Sequence, residues 1–317
     1  MKINEYYMVD IKQFAKREVK MMGGHRLCAG CPAPTIAKLA MMCSDKEVVV
    51  SNATGCLEVS TTIYPFSAWK TPWIHTAFEN AAANIAGVES AYKVMKRKGL
   101  LNKEYRFMAI AGDGGTYDIG LQSLSGAIER GHKFVFVCYD NEAYMNTGIQ
   151  RSSATPLFAN TTTDPIGSVR KGKQELRKNF TEIMIAHNMK YVAQTSLSNL
   201  NDFIMKMEKA FKATDDTAAF VNVFSPCIPG WGIHDDDAIK LSKVAVDTCF
   251  WPLYEVEDGV YKLSYDPGEN KKPITEFLKM QSRFKHLLKP GNEKLVEQFQ
   301  KDVDDRWNKL KRKCGVE

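Results

Sequence analysis

Long apolar runs are missing from this sequence. The longest, such as Phe134 to Tyr139, fall far short of the ~20 residues that cross a bilayer, so no membrane span is expected. Residues Met1 to Lys20 lack the apolar core of a secretion signal, because Lys2, Glu5, Asp10, Lys12, Lys16 and Arg17 are scattered through them. Charge of one sign is also scarce. Lys and Arg number 43 against 37 Asp and Glu, a net +6 over 317 residues, with acids interleaved almost everywhere. A nucleic-acid binder concentrates its bases in a stripe, and none is expected here. There is no collagen-like glycine period, internal repeat or flexible linker. At 44% hydrophobic and 25% charged, the chain is too apolar to be disordered. Its length allows one large α/β domain or two smaller ones.

Cysteine is present in number. The eight are Cys28, Cys31, Cys43, Cys56, Cys138, Cys227, Cys249 and Cys314, and four fall between Cys28 and Cys56. A chain of this length with a normal core and no secretion signal is not expected to need a disulfide framework. The expected location is the cytoplasm, where clustered thiols more often bind metal than form bridges.

Apolar patterning and breakers set the order of elements. Pro32 and Pro34 open a helix whose face is Ile36, Ala37, Leu39, Ala40 and Met41. A short strand over Glu47 to Ser51 leads into the loop Asn52 to Cys56. Alanine-rich Glu79 to Lys98 suits a helix packed closely on a sheet, with Lys96-Arg97-Lys98 and Gly99 at its end. Arg106 to Ala111 reads as a strand, Gly112 to Gly115 as a turn, Asp118 to Arg130 as a helix and Lys133 to Tyr139 as a buried strand. That order implies a parallel sheet. The polar segment Asn141 to Lys173 is long enough without periodicity to be functional. A helix follows over Gln174 to His187, a strand over Tyr191 to Gln194, a helix over Asn201 to Lys212 and a strand over Ala218 to Phe224. Beyond about Trp251 the pattern weakens, and residues 270–317 read as charged helices. The expected fold is α/β: one doubly wound, mostly parallel sheet in residues 1–250, with a C-terminal helical extension over 251–317 packed on it or on a partner.

Gly112-Asp113-Gly114-Gly115 stands after a strand and before a helix, where doubly wound folds bind ligands. The glycines let a ligand approach the backbone, and the helix start offers N–H groups to an anion. A carboxylate beside a phosphate is repulsive unless a divalent cation joins them, and Mg²⁺ takes one or two carboxylates plus phosphate oxygens. Asp113 therefore reads as a metal ligand, though such a turn also serves as a plain connection with Asp as helix cap. Tyr117 occupies the third glycine of a dinucleotide fingerprint, and no G-K-[ST] loop exists. Asp140-Asn141-Glu142-Ala143 begins one helix and one strand later, so both loops should share a sheet edge. Asp113 and the Asn141 amide could then share one cation.

Cys28-Ala29-Gly30-Cys31 alone fits a redox pair, half a zinc site or half an iron–sulfur site. Cys56 and Cys227 each follow a strand. Four thiolates from three loops could converge at one edge, and such a set suits Zn²⁺ or an iron–sulfur cluster. Cys43 and Cys138 read as core residues, while Cys249 and Cys314 have no assigned partners.

Further stretches complete the pattern: Gly24 to Cys31, Ala53 to Ser60, Ile74 to Asn80, Gly112 to Gly120, Tyr139 to Gly148, Ser225 to Cys227 and Trp251 to Glu255. In this order they resemble the β subunits of 2-oxoacid:ferredoxin oxidoreductases, pyruvate:ferredoxin oxidoreductase in particular, over essentially the whole chain. Gly-Asp-Gly with Asn141 resembles the thiamine diphosphate motif, although Asp140 stands where that motif usually has a first Asn. The resemblance implies a thiamine diphosphate-binding fold of the diphosphate type, with Mg²⁺ held by Asp113, Asn141 and the Ala143 carbonyl. Thr54, Gly55, Gly112, Gly114 and Gly115 would line the cofactor, and Asn146 would contact the substrate carboxylate or oxyanion. One [4Fe–4S] cluster would sit on Cys28, Cys31, Cys56 and Cys227. His25 and His75 fall in matching motifs, with a hydrogen-bonding role equally open.

The implied activity is oxidative decarboxylation of pyruvate with coenzyme A to acetyl-CoA and CO₂, electrons leaving through the cluster to ferredoxin. An α subunit would supply the pyrimidine half of the thiamine site, with γ and small ferredoxin-like δ subunits completing the enzyme, so this chain alone should be inactive. Arg306, Lys309, Lys311, Arg312 and Lys313 would dock a partner or form a solvated face. Three other readings stand beside this one: another 2-oxoacid (oxalate, 2-oxoglutarate, a branched-chain acid or indolepyruvate), a non-oxidative thiamine lyase with structural zinc, and a non-enzymatic electron-transfer or scaffolding module without thiamine.

Overall fold

The computed structural model describes residues 9–316. Its sheet has eight strands: β1 (Glu47–Ala53), β2 (Trp73–Thr76), β3 (Tyr105–Gly112), β4 (Val135–Asp140), β5 (Tyr191–Ser196), β6 (Ala219–Phe224), β7 (Tyr254–Glu257) and β8 (Val260–Leu263). They lie in the order β2-β1-β3-β4-β6-β5-β7-β8. The first six strands are parallel, and β7 and β8 add antiparallel at one edge. Among the described residues no helix is long and apolar enough to cross a membrane.

Successive side chains on a strand point to opposite faces, and the two faces here are both apolar. Met108 and Ile110 of β3 and Val135 and Val137 of β4 meet Ile36, Ala37, Phe203 and Met207, from helices Ala33–Met42 and Leu200–Ala213. Phe107, Ala109 and Ala111 face the other way, against Ala82, Ile85, Leu124 and Ala127 from helices Ala81–Arg97 and Leu121–Glu129. Small residues on both partners let the alanine-rich helix lie close to the sheet. The doubly wound α/β architecture expected from the sequence is therefore present.

Two segments differ from expectation. The helix expected over Gln174 to His187 spans only Phe180–Ile185. Its missing first turns have other partners: Arg177 turns inward to Asp140 and Glu142, and the Lys178 N–H donates to the Ser153 carbonyl. The hairpin of β7 and β8, unanticipated, forms at Asp258-Gly259, where both residues take positive φ (49° and 78°) as a two-residue hairpin turn requires. It pairs onto β5, so the chain beyond Trp251 first extends the sheet. Helices follow, Thr275–Leu278 and then Glu293–Lys313, whose Phe299, Val303, Trp307 and Leu310 share one inward stripe. These join Phe224, Trp231, Phe250, Trp251 and Phe277 in a third apolar cluster.

Phe277 is fully buried with its ring 4.4 Å from that of Phe250. Phe277→Ala should cost about 3–5 kcal/mol and lower the thermal unfolding midpoint. An unchanged midpoint would show that the extension adds nothing to the core.

Candidate functional site

Because β1, β3, β4 and β6 run parallel, the residues that follow them emerge at one edge. The chain leaves β1 toward β2 and returns to β3 on β1's other side, and that reversal opens a crevice beyond the strand ends. Thr54, Gly55 and Cys56 line it from β1, Gly112, Gly114 and Gly115 from β3, and Asn141, Ala143 and Asn146 from β4, with Phe78, Tyr139, Tyr144 and Met145. The glycines are required by close contacts. A Cβ on Gly114 would lie 2.4 Å from the Tyr144 ring, and one on Gly55 2.8 Å from the Tyr139 hydroxyl. Gly114–Asp118 forms a single widened π turn before the helix, a feature that accompanies functional sites.

Asp113 is completely buried. One carboxylate oxygen accepts from the Asn141 N–H (3.2 Å) and the other from the Ser152 hydroxyl (2.5 Å). Burial, and then the neighbouring Asp140 carboxylate, push its pKa well above the ordinary range. The Asn141 amide sets up a choice. With its oxygen inward, that oxygen lies 2.9 Å from both the Ala143 carbonyl and Asp113 Oδ1; turned over, its NH₂ donates to the same two atoms. In the first orientation the Asn141 amide oxygen thus has two further oxygens beside it, each at 2.9 Å. Adjacent ligands of an octahedral Mg²⁺ at 2.0–2.1 Å stand roughly 2.9 Å apart, so the residues fit that cation with the oxygen inward.

Beneath this point lies a buried ionic network that the sequence did not reveal. Arg177 donates from Nη2 to Asp140 Oδ2 and from Nη1 to Glu142 Oε1, both at 2.7 Å. Arg283 donates to Glu142 Oε2 at 2.5 Å. The Tyr117 hydroxyl donates to Asp140 Oδ2 at 2.7 Å. Two carboxylates and two guanidiniums balance in charge, as burial demands. Trp231 donates its indole N–H to the Asn141 carbonyl (2.9 Å), and the Arg283 guanidinium stacks 3.7 Å from the Trp231 ring centroid.

All eight cysteines are free. The thiols of Cys28, Cys31, Cys56 and Cys227 lie within electrostatic reach of one another, and burial raises Cys31 to about 11 and Cys227 to about 12. Each of the three less exposed sulfurs has a hydrogen-bond donor: Ala33 N–H for Cys31, the Asn146 amide for Cys56 and, at 3.4 Å, Gly230 N–H for Cys227. Gly30 takes a positive φ of 74° in the Cys28–Cys31 loop, where a Cβ would fall 1.8 Å from the Asp235 carbonyl oxygen. Among the described residues no three His, Cys, Asp or Glu side chains are close enough to hold a single ion. Cys43, Cys138 and Cys249 are buried in the core, and Cys314 packs at its margin.

His75 Nε2 lies 2.8 Å from the Thr54 hydroxyl and 3.6 Å from Glu58 Oε2, so it braces the β1 loop. His25 lies beside Cys28 and Cys31 with its Nδ1 unpartnered. Of the basic residues near the C-terminus, Arg306 pairs with Asp302 and Lys313 with Glu182.

This edge, with its glycine turn and oxygen cluster, is that of a thiamine-binding domain, and the family model for the thiamine pyrophosphate enzyme C-terminal TPP-binding domain matches residues 53–223. Pyruvate synthase subunit PorB of Thermotoga maritima is 52% identical over 95% of this chain and 95% of its own length. Ketoisovalerate oxidoreductase subunit VorB of Pyrococcus furiosus is 40% identical over 94% of each. A solved 2-oxoglutarate:ferredoxin oxidoreductase from Magnetococcus marinus, 20% identical, superposes with a TM-score of 0.55 over 74% of this chain and 72% of that one, a likeness of fold. The chain belongs to the 2-oxoacid:ferredoxin oxidoreductase family, among the β subunits of the pyruvate synthase (PorB) type.

Gly114→Ala should drive the Tyr144 ring off its seat at a cost of about 1–3 kcal/mol, read as a lowered unfolding midpoint. A midpoint equal to the parent's would contradict the close packing of Tyr144 on the glycine turn.

Proposed function

We propose that this chain is the β subunit of a thiamine diphosphate-dependent enzyme that reversibly converts pyruvate and coenzyme A to acetyl-CoA and CO₂, passing electrons through a [4Fe–4S] cluster to ferredoxin. The observation that carries the proposal is that Cys56, a proposed cluster ligand, lines the same crevice as the glycine turn, Asn141 and Ala143. The redox centre and the thiamine would then be neighbours. Asp113, Asn141 and the Ala143 carbonyl would hold Mg²⁺, and Thr54, Gly55, Gly112, Gly114 and Gly115 would pass close to the diphosphate. Thiamine supplies the carbanion chemistry that decarboxylation needs, and the cluster accepts single electrons.

The protein's part is placement. Asn146 is exposed at the crevice mouth, hydrogen-bonded to Cys56, and is positioned to donate to a substrate carboxylate or oxyanion. N–H donors on the sulfurs stabilise thiolate ligands, which burial alone disfavours. We assign the acid that binds the pyrimidine to an α subunit. We assign γ and small ferredoxin-like δ subunits to the remaining relay, and the cytoplasm to the assembly. Residues 1–250 carry all the proposed ligands, and 251–317 form the extension packed against them.

The alternatives rest on narrower support. A relative named for ketoisovalerate is 40% identical, close to the 41% of one named for pyruvate but below the 52% of another, so another 2-oxoacid stands as the second reading. A structural zinc would draw its sulfurs to roughly 3.8 Å from one another around a 2.3 Å Zn–S shell.

Co-purified with its partners, the chain should support pyruvate- and coenzyme A-dependent reduction of a viologen dye; turnover only with another 2-oxoacid would refute the substrate. Asp113→Ala should strip thiamine diphosphate from the complex and leave its iron, whereas Cys227→Ala should lower iron content. Undiminished thiamine in the first variant, or zinc in place of iron in the parent, would overturn the respective assignment.

A further inference from the structure

We propose that Glu142 and Arg283 are positioning residues for the divalent cation, so that the C-terminal extension sets the geometry of the cofactor site. The inference rests on the reading that Asp113, Asn141 and Ala143 hold that cation. Two of these ligands flank Glu142 directly. Glu142 adopts φ 66°, the left-handed region that non-glycine residues rarely enter. This turn brings the Asn141 side chain and the Ala143 carbonyl to one point. A conformation of this kind persists only where its surroundings over-determine it.

The surroundings do so here at every polar atom of Glu142. Its N–H donates to Asp140 Oδ1 (3.1 Å), and its carbonyl accepts from the Thr155 hydroxyl (2.6 Å). Its carboxylate is gripped on one oxygen by Arg177 and on the other by Arg283. Arg283 comes from the short turn Ser282–Phe284 in the extension, 141 positions along the chain. It acts on the loop twice. It binds the Glu142 carboxylate, and it stacks on Trp231, whose N–H holds the Asn141 carbonyl. Gln281 in turn fixes Arg283, accepting from its Nε at 2.9 Å.

The clamp also settles which carboxylates meet the cation. Asp140 and Glu142 stand within one residue of Asn141, yet both are committed to guanidiniums. Asp113, which no arginine among the described residues pairs with, is left as the anionic ligand. None of the clamp residues needs to touch the cation. Their effect passes through the backbone turn, as it does for residues behind metal ligands generally.

The test uses the assembled complex, stripped of divalent cation by chelation, with Mn²⁺ as the probe and its binding read by electron paramagnetic resonance. Arg283→Met should weaken Mn²⁺ binding about tenfold or more, the usual effect of losing a group behind a ligand. Arg283→Lys, which keeps the charge but not the fork, should fall about threefold. A purely structural role would lower the unfolding temperature of the metal-free complex and leave Mn²⁺ affinity as in the parent, and that result would overturn the proposal. Where Arg283→Met fails to assemble, Arg283→Lys decides: weaker binding supports the clamp and unchanged binding refutes it. Asp113→Asn in parallel separates the two layers. If it leaves Mn²⁺ binding intact, the cation site itself is misplaced and the clamp falls with it.

Discussion

With the Asn141 amide oxygen turned inward, three oxygen acceptors gather at the carboxyl edge of the sheet, and one belongs to a fully buried aspartate. In a medium of low polarity such an arrangement is unfavourable without a positive partner. Much of the local architecture follows from maintaining it. The parallel strands bring the Asp113 and Asn141 loops side by side. A left-handed residue between Asn141 and Ala143 aims both at the same point, and a balanced set of two carboxylates and two guanidiniums holds that residue in place. Ser152 and Thr155, from the long irregular segment after β4, complete the support. That segment is therefore scaffolding for the site, with the Ser152 and Thr155 hydroxyls turned inward.

The cysteines obey a second constraint. Two come from the loop before the first strand, one from the end of β1 and one from the end of β6, and backbone or amide donors meet the three less exposed sulfurs. The loops that approach the oxygen cluster also bring Cys56 and Asn146 to the same crevice. Proximity of a thiamine site to the proposed redox centre would then be a consequence of strand order, since β1, β3, β4 and β6 are consecutive neighbours in the sheet.

The sequence made much of this legible, for identifiable reasons. Buried parallel strands are continuous apolar runs, and glycine turns after them mark an edge, so β3, β4 and the Asp113 turn could be read directly. Asn141 and the cysteines were legible through motif order. Harder features depended on distance or on charge in the wrong context. The Glu142–Arg283 contact spans most of the chain, and nothing local marks Arg283 as a partner. Arg177 looks like an ordinary helical residue until two carboxylates draw it inward and the helix shortens. The hairpin of β7 and β8 carried its Asp258-Gly259 signal, but flanking charges obscured the alternation.

The proposed function requires two distinct inorganic centres at one sheet edge. Anomalous diffraction from crystals of the assembled complex, with Mn²⁺ in place of Mg²⁺, tests this directly. The account predicts an iron peak enclosed by Cys28, Cys31, Cys56 and Cys227 and a separate manganese peak touching Asp113, Asn141 and the Ala143 carbonyl. Iron absent from the cysteines, or manganese bound away from those three oxygens, would contradict it.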